Sequence, residues 1–206
     1  MSNIFDDGKK YIYTLLGVWI ACMIFDCGFF TFLAFVGLVF MVLVFYKRER
    51  VKMNFQDGSI YSPCEGSINS IEKLSTCSEF KDGCTKIVIE NECLSHPLFC
   101  APIDGVMGLV HRQNGAFLKT STPQSEKLNE KLVVKFKNDN MEIICEHIVS
   151  KSFDGIHLHV NDGATLQATD NYGLMVYGTT TLYIPKEVKL NVRVNQKLRV
   201  KESVLN

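Results

Sequence analysis

The sequence lacks an excess of charge of either sign, because its 206 residues include 22 lysines and arginines against 22 aspartates and glutamates. No net field therefore draws the chain toward a polyanion, and we expect no nucleic-acid partner. The length is also too short for two ordinary domains beside a long hydrophobic segment. One globular unit is expected.

The eight cysteines lack any Cys-x-x-Cys pair, so their spacing indicates neither a zinc ribbon nor a thioredoxin-type redox motif. No structural metal site is expected. The topology argued below places most of the chain in the cytoplasm, where thiols stay reduced. We therefore interpret the cysteines as small, buried, apolar residues.

One region almost lacks ionisable side chains. Between Tyr11 and Tyr46 the only acid or base is Asp26. A spanning helix needs about 20 apolar residues, and this stretch of roughly 35 is interrupted near its middle by Asp-Cys-Gly at 26–28. The pattern favours two short helices joined by a tight turn. The alternatives are one long tilted helix with Asp26 buried, or a helix inside a soluble core.

Basic residues flank this stretch on both sides: Lys9, Lys10, Lys47, Arg48 and Arg50. The positive-inside rule places both ends on the cytoplasmic side. We therefore predict that residues 1–50 form a transmembrane helical hairpin, an anchor in the inner (cytoplasmic) membrane. Residues 51–206 would form a β domain on its cytoplasmic side.

Beyond residue 50 the chain lacks a helical period sustained over three turns, apart from a short candidate helix at 125–132. Runs of β-branched and apolar residues alternate instead with Gly, Asn, Asp and Pro. The clearest runs lie at 86–89, 132–136, 142–145 and 182–184. The fold class predicted is mainly β, with a barrel-sandwich-like domain after the hairpin.

Two segments repeat one pattern, a small residue, Pro, any residue, an acid and Gly, at 62–66 and 101–105. We interpret both as turns that lead into strands. A second pair of turns, at 160–166 and 194–198, is typical of lipoyl-type carrier domains. No lysine stands in a carrier signature, so carrier function is disfavoured, and the long helical hairpin of a membrane-fusion adaptor is missing too.

Three histidines could form a metal site. His157 and His159 alternate on a predicted strand, and His147 lies about one strand earlier. No strong acidic motif accompanies them. Histidines at the surface or in hydrogen bonds are therefore the favoured interpretation.

Several segments, taken in order, resemble the phosphatidylserine decarboxylase family. Residues 44–50 (Val-Phe-Tyr-Lys-Arg-Glu-Arg) are similar to its Phe-Phe-Arg-x-Pro-Glu-Arg, and residues 62–66 to its Ser-Pro-Ala-Asp-Gly. Residues 101–105 and 115–118 look like its Ala-Pro-x-Asp-Gly and Gly-x-Phe-x segments. The strongest likeness lies at 173–185, where the family has Gly-x-x-x-Phe-Gly-Ser-x-x-Asp-x-x-x-Pro. The resemblance covers nearly the whole chain.

The resemblance implies an enzyme that cuts its own chain. In the family, the Ser after Gly attacks the preceding carbonyl, and elimination and hydrolysis leave a pyruvoyl group on the new N-terminus. That ketone captures the amine of phosphatidylserine and accepts electrons while carbon dioxide leaves. Here Gly178 and Thr179 stand at the cleavage point. Processing would make a pyruvoyl-type cofactor, 2-oxobutanoyl, from Thr179.

Four features depart from the family's pattern. Thr179 replaces Ser, and Glu65 replaces the activating Asp, which moves the carboxylate by about 1 Å and can cost about a hundredfold in rate. The family's His has no exact counterpart, since His96 lies one residue from the expected position. Asp154 and Gly155 stand where short members have paired arginines, which weakens a site for an anionic head group.

Two hypotheses therefore stay open. In the first, the chain is a self-cleaving carboxy-lyase of phospholipid metabolism that decarboxylates a membrane aminophospholipid, with Thr179, Gly178, Glu65 and His96 as catalytic residues. In the second, it is a pseudoenzyme, a membrane-tethered β module that binds lipid or protein without a cofactor. The sequence leaves open whether the protein forms a homodimer.

Overall fold

The computed structural model describes residues 6–26, 28–46, 58–76, 80, 83–91, 95–119, 122 and 124–206. The chain divides into two compact units, Met1–Glu49 and Arg50–Asn206. Some residues used in the sequence analysis lie outside the described ranges: Cys27, Lys47, Arg48, Arg50, Cys77 and Cys93.

The first unit is a pair of helices, α1 (Asp6–Ile24) and α2 (Gly28–Val44). The bend between them passes through Asp26, whose φ of 51° lies in the left-handed region that Asp tolerates better than most residues. Aromatic side chains pack between the helices, with Trp19 and Phe35 ring centroids 6.1 Å apart. The structure therefore has two helices with a bend at Asp26, as predicted, and not the alternative of one long helix.

The predicted transmembrane character of this hairpin is not supported. In the part of the chain that the structure describes, no helix combines the length and apolarity needed to cross a membrane. α2 has 17 residues, which at 1.5 Å each span about 25 Å against a hydrocarbon core of about 30 Å. α1 is longer, but its first turns carry Asp6, Asp7, Lys9 and Lys10.

The second unit is mainly β, as predicted. Its elements in chain order are β1 (Gly66–Leu74), β2 (Cys84–Asn91), β3 (Leu98–Cys100), β4 (Gly105–Gln113), α3 (Ser125–Leu128), β5 (Lys131–Lys137), β6 (Glu142–Val149), β7 (His157–Leu158), β8 (Thr165–Leu166), β9 (Asn171–Leu174), β10 (Gly178–Pro185) and β11 (Lys197–Leu198).

Among the described residues the strands form two antiparallel sheets. The larger has eight strands in the order β11-β1-β2-β10-β6-β5-β4-β8, and the smaller has three in the order β3-β9-β7. Apolar residues that alternate along β2, β5, β6 and β10 form one core with Phe99 and Tyr172 from the smaller sheet. The likeness to a barrel-sandwich stays a prediction.

The local predictions are mostly confirmed. The four predicted strand runs lie within β2, β5, β6 and β10, and the two Pro-x-acid-Gly turns end at Gly66 and Gly105, the first residues of β1 and β4. The candidate helix is shorter than predicted. α3 ends at Leu128, because Asn129 adopts an extended backbone with ψ of 155° that leads into β5.

Candidate functional site

Gly178 and Thr179 begin β10, a central strand paired on both sides. Gly178 lies opposite Asn91 of β2 and Val149 of β6, and Thr179 lies opposite Glu90 and Ile148. The position needs glycine, because a Cβ on Gly178 would collide with the carbonyl oxygen of Ile148. The predicted cleavage point therefore lies in a regular stretch of sheet.

Alternation along β10 sends Thr179 and Thr180 to opposite faces. Thr180 is fully buried, on the side of the core, whereas Thr179 is partly exposed and lines a concave outer face of about 600 Å³. The other residues lining this concavity are Asn69, Lys86, Val88, Glu90, Lys119, Ser125, Glu126, Lys131, Glu146, Ile148, Thr181 and Tyr183.

Two carboxylates on this outer face are held by tyrosines. The hydroxyl of Tyr177 donates to Glu90 Oε1 at 3.2 Å, and the hydroxyl of Tyr183 donates to Glu146 Oε2 at 2.9 Å. The ammonium of Lys131 lies 2.8 Å from Glu146 Oε1. The face therefore presents fixed charges of both signs around Thr179. Residues directly opposite on paired strands have Cβ atoms about 5 Å apart, so Glu90 is the carboxylate beside Thr179.

On the inner face, Thr180 belongs to a chain of buried hydrogen bonds. Its Oγ1 lies 3.0 Å from His147 Nδ1 and donates to Asn91 Oδ1 at 3.1 Å. His147 Nε2 lies 2.6 Å from the hydroxyl of Tyr172. Since the Thr180 proton goes to Asn91, Nδ1 must carry the imidazole proton and Nε2 must accept from Tyr172. The His147 imidazole is therefore hydrogen-bonded to Thr180 and not to Thr179.

Burial controls the protonation of this inner chain. It lowers the pKa of His147 to about 3, so the imidazole is neutral at physiological pH. It raises the pKa of the Cys64 thiol to about 12 and that of Tyr172 well above its usual value. Cys64, Cys84, Cys100 and Cys145 are buried, as expected, whereas Cys22 is half-buried. The Cys100 thiol donates to Asn171 Oδ1 at 3.1 Å.

The structure places the other two predicted catalytic residues differently. Glu65 contributes its backbone carbonyl, which accepts from Asn91 Nδ2 at 3.1 Å. His96 is buried at the start of the smaller sheet. Within the described residues the hydroxyl of Thr179 makes no hydrogen bond, so neither side chain is bonded to it. The catalytic roles of Glu65 and His96 stay predictions.

Sequence reasoning missed Glu90, Lys131 and Glu146. Their only signal was alternation along β2, β5 and β6, which marks them as outward-facing but does not say which strands are neighbours. The pairing of β2 with β10 joins segments far apart in the chain, and it alone brings Glu90 to Thr179.

His157 and His159 do not line the concavity around Thr179. Neither do Asp154 and Gly155, which stand where short members of the family have paired arginines. His157 Nε2 lies 3.0 Å from Asp154 Oδ1, and a Cβ on Gly155 would collide with the carboxylate of Glu130. His159 is exposed. In the ranges that the structure covers, no group of three or more His, Cys, Asp or Glu could hold a metal ion.

Comparison with known proteins gives one consistent family. The family profile described as phosphatidylserine decarboxylase matches residues 39–206. The phosphatidylserine decarboxylase proenzyme of Carboxydothermus hydrogenoformans is 25% identical over 189 residues, which cover 91% of this chain and 85% of that protein. The proenzyme of Ehrlichia chaffeensis is 24% identical over 212 residues, covering 100% and 91%. The proenzyme of Desulfotalea psychrophila is 25% identical over 182 residues, covering 87% and 85%. No solved structure was found to match the chain.

Proposed function

The chain belongs to the phosphatidylserine decarboxylase family, and from that premise we propose that it is a self-processing proenzyme that decarboxylates an aminophospholipid. The observation that carries this proposal is the position of Thr179. Thr179 directly follows Gly178 and lines a polar concavity open to solvent. It lies opposite Glu90 in register.

Self-cleavage would begin at the hydroxyl of Thr179. Oγ1 attacks the carbonyl carbon of Gly178, the peptide C–N bond breaks, and an ester and a free amine form. Loss of the Thr179 α-proton then breaks the Cβ–O bond and releases the Gly178 carboxylate. Water replaces the nitrogen, which leaves as ammonia, and a 2-oxobutanoyl group remains at the N-terminus of the second fragment.

The residues present fit that group. Gly178 has no side chain to block the attack, and the threonine hydroxyl supplies the same leaving oxygen as serine. When formed, the ketone would capture the substrate amine and accept the electrons released with carbon dioxide. Glu90, opposite Thr179 in register, would accept the proton of the Thr179 hydroxyl, while the hydroxyl of Tyr177 donates to its Oε1.

Turnover of lipid tests the proposal. Vesicles that contain phosphatidylserine should release carbon dioxide and accumulate phosphatidylethanolamine with the wild-type chain. Thr179→Val, which keeps the shape and removes the hydroxyl, should reduce the rate to background. Equal rates from both chains would contradict the proposal.

A second candidate is a lipid-binding pseudoenzyme without a ketone. It is favoured by the hydrogen bonds of His147, whose imidazole contacts Thr180 on the face away from the concavity. Thr179→Ser combined with Glu65→Asp discriminates the two. Cleavage recovered only in the double variant would identify a chain that lost activity at these two positions, whereas cleavage of the wild type would exclude this candidate.

We further propose that the helical pair binds the inner membrane and tethers the β domain at its cytoplasmic side. Support comes from the many large apolar side chains that α1, α2 and the bend expose, among them Ile24 (74%), Phe25 (78%) and Phe29 (74%). Apolar surface of this extent is typical of protein or membrane contacts. Insertion into one leaflet needs no spanning helix.

A further inference from the structure

A row of side chains across the outer face carries opposite charges on the two sides of Thr179. Its order is Glu90, Thr179, Ile148 and Lys131, one residue from each of four neighbouring strands in register. Paired strands lie about 4.8 Å apart, so the carboxylate stands one strand from Thr179 and the lysine stands two strands away on the other side.

We propose that this row binds the head group of a phosphoserine-type lipid, with the phosphate at Lys131 and the ammonium at Glu90. The proposal rests on the function proposed above, and it names the residues that orient the ligand. Such a head group carries an ammonium and a carboxylate on one carbon, and a phosphodiester a short arm away. With the phosphate at Lys131 the ammonium faces Glu90, whereas in the reverse orientation the phosphate would meet Glu90 and the ammonium would meet Lys131.

Lys131 is placed to share its ammonium between two anions. It and Glu146 are only 19% and 17% exposed, so water screens their interaction less than it screens a surface pair. An ammonium has three donors, and within the described residues Glu146 is its partner. Tyr183 holds the other oxygen of Glu146. A phosphate can therefore bind at Lys131 while Glu146 stays in place.

Glu90 offers the complementary acceptor. A carboxylate accepts hydrogen bonds at two oxygens, and the hydroxyl of Tyr177 donates to Oε1. An ammonium bound to Glu90 would lie beside Thr179. This is the position that an amine must reach to react there.

The row also supplies the positive charge that positions 154 and 155 do not. Asp154 is buried against His157, and Gly155 packs on the carboxylate of Glu130, so neither position holds a cation. Inside the concavity, positive charge comes from Lys131, with Lys86 and Lys119 also among the lining residues.

Calorimetric titration of soluble head groups tests this assignment. The protein is the full chain with Thr179→Val, which cannot process itself, and the probes are glycerophosphoserine, glycerophosphate and inorganic phosphate. We expect glycerophosphoserine to bind most tightly. Lys131→Met should weaken glycerophosphoserine and glycerophosphate alike, by about tenfold or more.

Two matched variants separate ligand binding from structural support. Glu146→Gln breaks the same ion pair as Lys131→Met, but it removes an anion that competes with the phosphate for Lys131. The affinity of this variant for glycerophosphoserine should therefore stay within about threefold of the parent chain or rise. Glu90→Gln should weaken glycerophosphoserine but should not weaken glycerophosphate. Lys135→Met, on the same strand and paired with Glu142, should change neither.

Several results would overturn the proposal. They are the absence of glycerophosphoserine binding, equal losses from Lys131→Met and Glu146→Gln, or inorganic phosphate binding as tightly as glycerophosphoserine. The test does not depend on catalysis. A wild-type chain that never cleaves would refute the enzyme proposal, while binding in the Thr179→Val chain would still decide the role of the row.

Discussion

Thr179 differs from serine by one methyl group on the carbon that bears the hydroxyl. On a central strand, that methyl group restricts the side-chain rotamer and crowds the approach of the oxygen to the Gly178 carbonyl. The attack requires placement to within about 1 Å, so a small steric change has a large effect on rate.

We therefore expect Thr179→Ser to accelerate self-cleavage by about tenfold. The rate can be followed on SDS gels after synthesis in vitro. Thr181→Ser is the matched control, because it makes the same change on the same strand and face, two residues away, and it should leave the rate unchanged. Equal acceleration by both variants would assign the effect to the strand and not to the hydroxyl.

His147 makes stability depend on pH. Its pKa is about 3 in the folded chain because of burial, against about 6.5 when unfolded. Between these values the unfolded chain binds a proton that the folded chain does not. The free energy of unfolding therefore falls as pH falls, by about 1.4 kcal/mol per pH unit from this residue, and above pH 7 the contribution is constant.

Denaturant titrations of the wild type and His147→Gln measure this contribution. The stability difference between them should be flat above pH 7 and should shrink steadily from pH 6 toward pH 4, because only the wild type carries the histidine term. A difference that does not change with pH would show that His147 titrates normally in the fold.

At the residue scale, the sequence proposes a cleavage point, which stays a prediction, but does not indicate what surrounds it. Gly178 and Thr179 follow from a contiguous motif. The partners of Thr179 depend on strand pairing between β2, β10 and β6, which no local pattern encodes. Glu90 was missed for this reason, whereas Glu65 and His96 were chosen by motif position.

At the scale of elements, β10 is the strand on which the site depends. It pairs along its whole length with β2 and over six residues with β6, so its first residue has backbone on both sides. Alternation in β10 also separates the outer hydroxyl of Thr179 from the inner hydroxyl of Thr180.

Gly178→Ala should destabilise the fold by about 2 kcal/mol, because the added Cβ would meet the fixed carbonyl of Ile148 and lie 2.7 Å from Met175 Sδ. Gly108→Ala in β4 is the control, since its Cβ would lie 3.8 Å from the nearest atom, the flexible end of Lys135. That change should stay within about 0.5 kcal/mol. Equal midpoints in urea for the two variants would contradict the crowding at Gly178.

Most elements could be predicted because their signals are local. Runs in which apolar residues alternate predicted β2, β5, β6 and β10. The interruption of the apolar stretch at 26–28 predicted the bend between α1 and α2. The candidate helix after residue 124 was too long, since the pairing of β5 with β6 takes residues from 131 onward into the sheet. The transmembrane assignment is not supported, because composition alone did not show where α2 would end.

At the scale of the whole molecule, the sequence joins a strongly apolar helical pair to a β domain of balanced charge. The helical pair exposes many large apolar side chains, whereas the β domain has its own core. Family membership was predictable because the matching blocks keep their order along the chain, and the profile match over residues 39–206 confirms it.

Flotation on liposomes tests the membrane proposal. The wild type should float with vesicles of anionic phospholipid. Phe29→Glu combined with Phe32→Glu places charge on exposed positions of α2. At roughly 2–3 kcal/mol for each buried charge, the double change should reduce partitioning by about a thousandfold or more. Val106→Glu, an exposed change in β4, should float normally. Unchanged flotation of the α2 variant would show that the helical pair is not the lipid-binding element.

Self-cleavage between Gly178 and Thr179 can be tested by measuring the intact mass of the purified wild-type chain. We expect two fragments, residues 1–178 and a second whose N-terminus at position 179 is a 2-oxobutanoyl group in place of the threonine residue. A single uncut species of 23.3 kDa, or a second fragment that begins at residue 180, would contradict it.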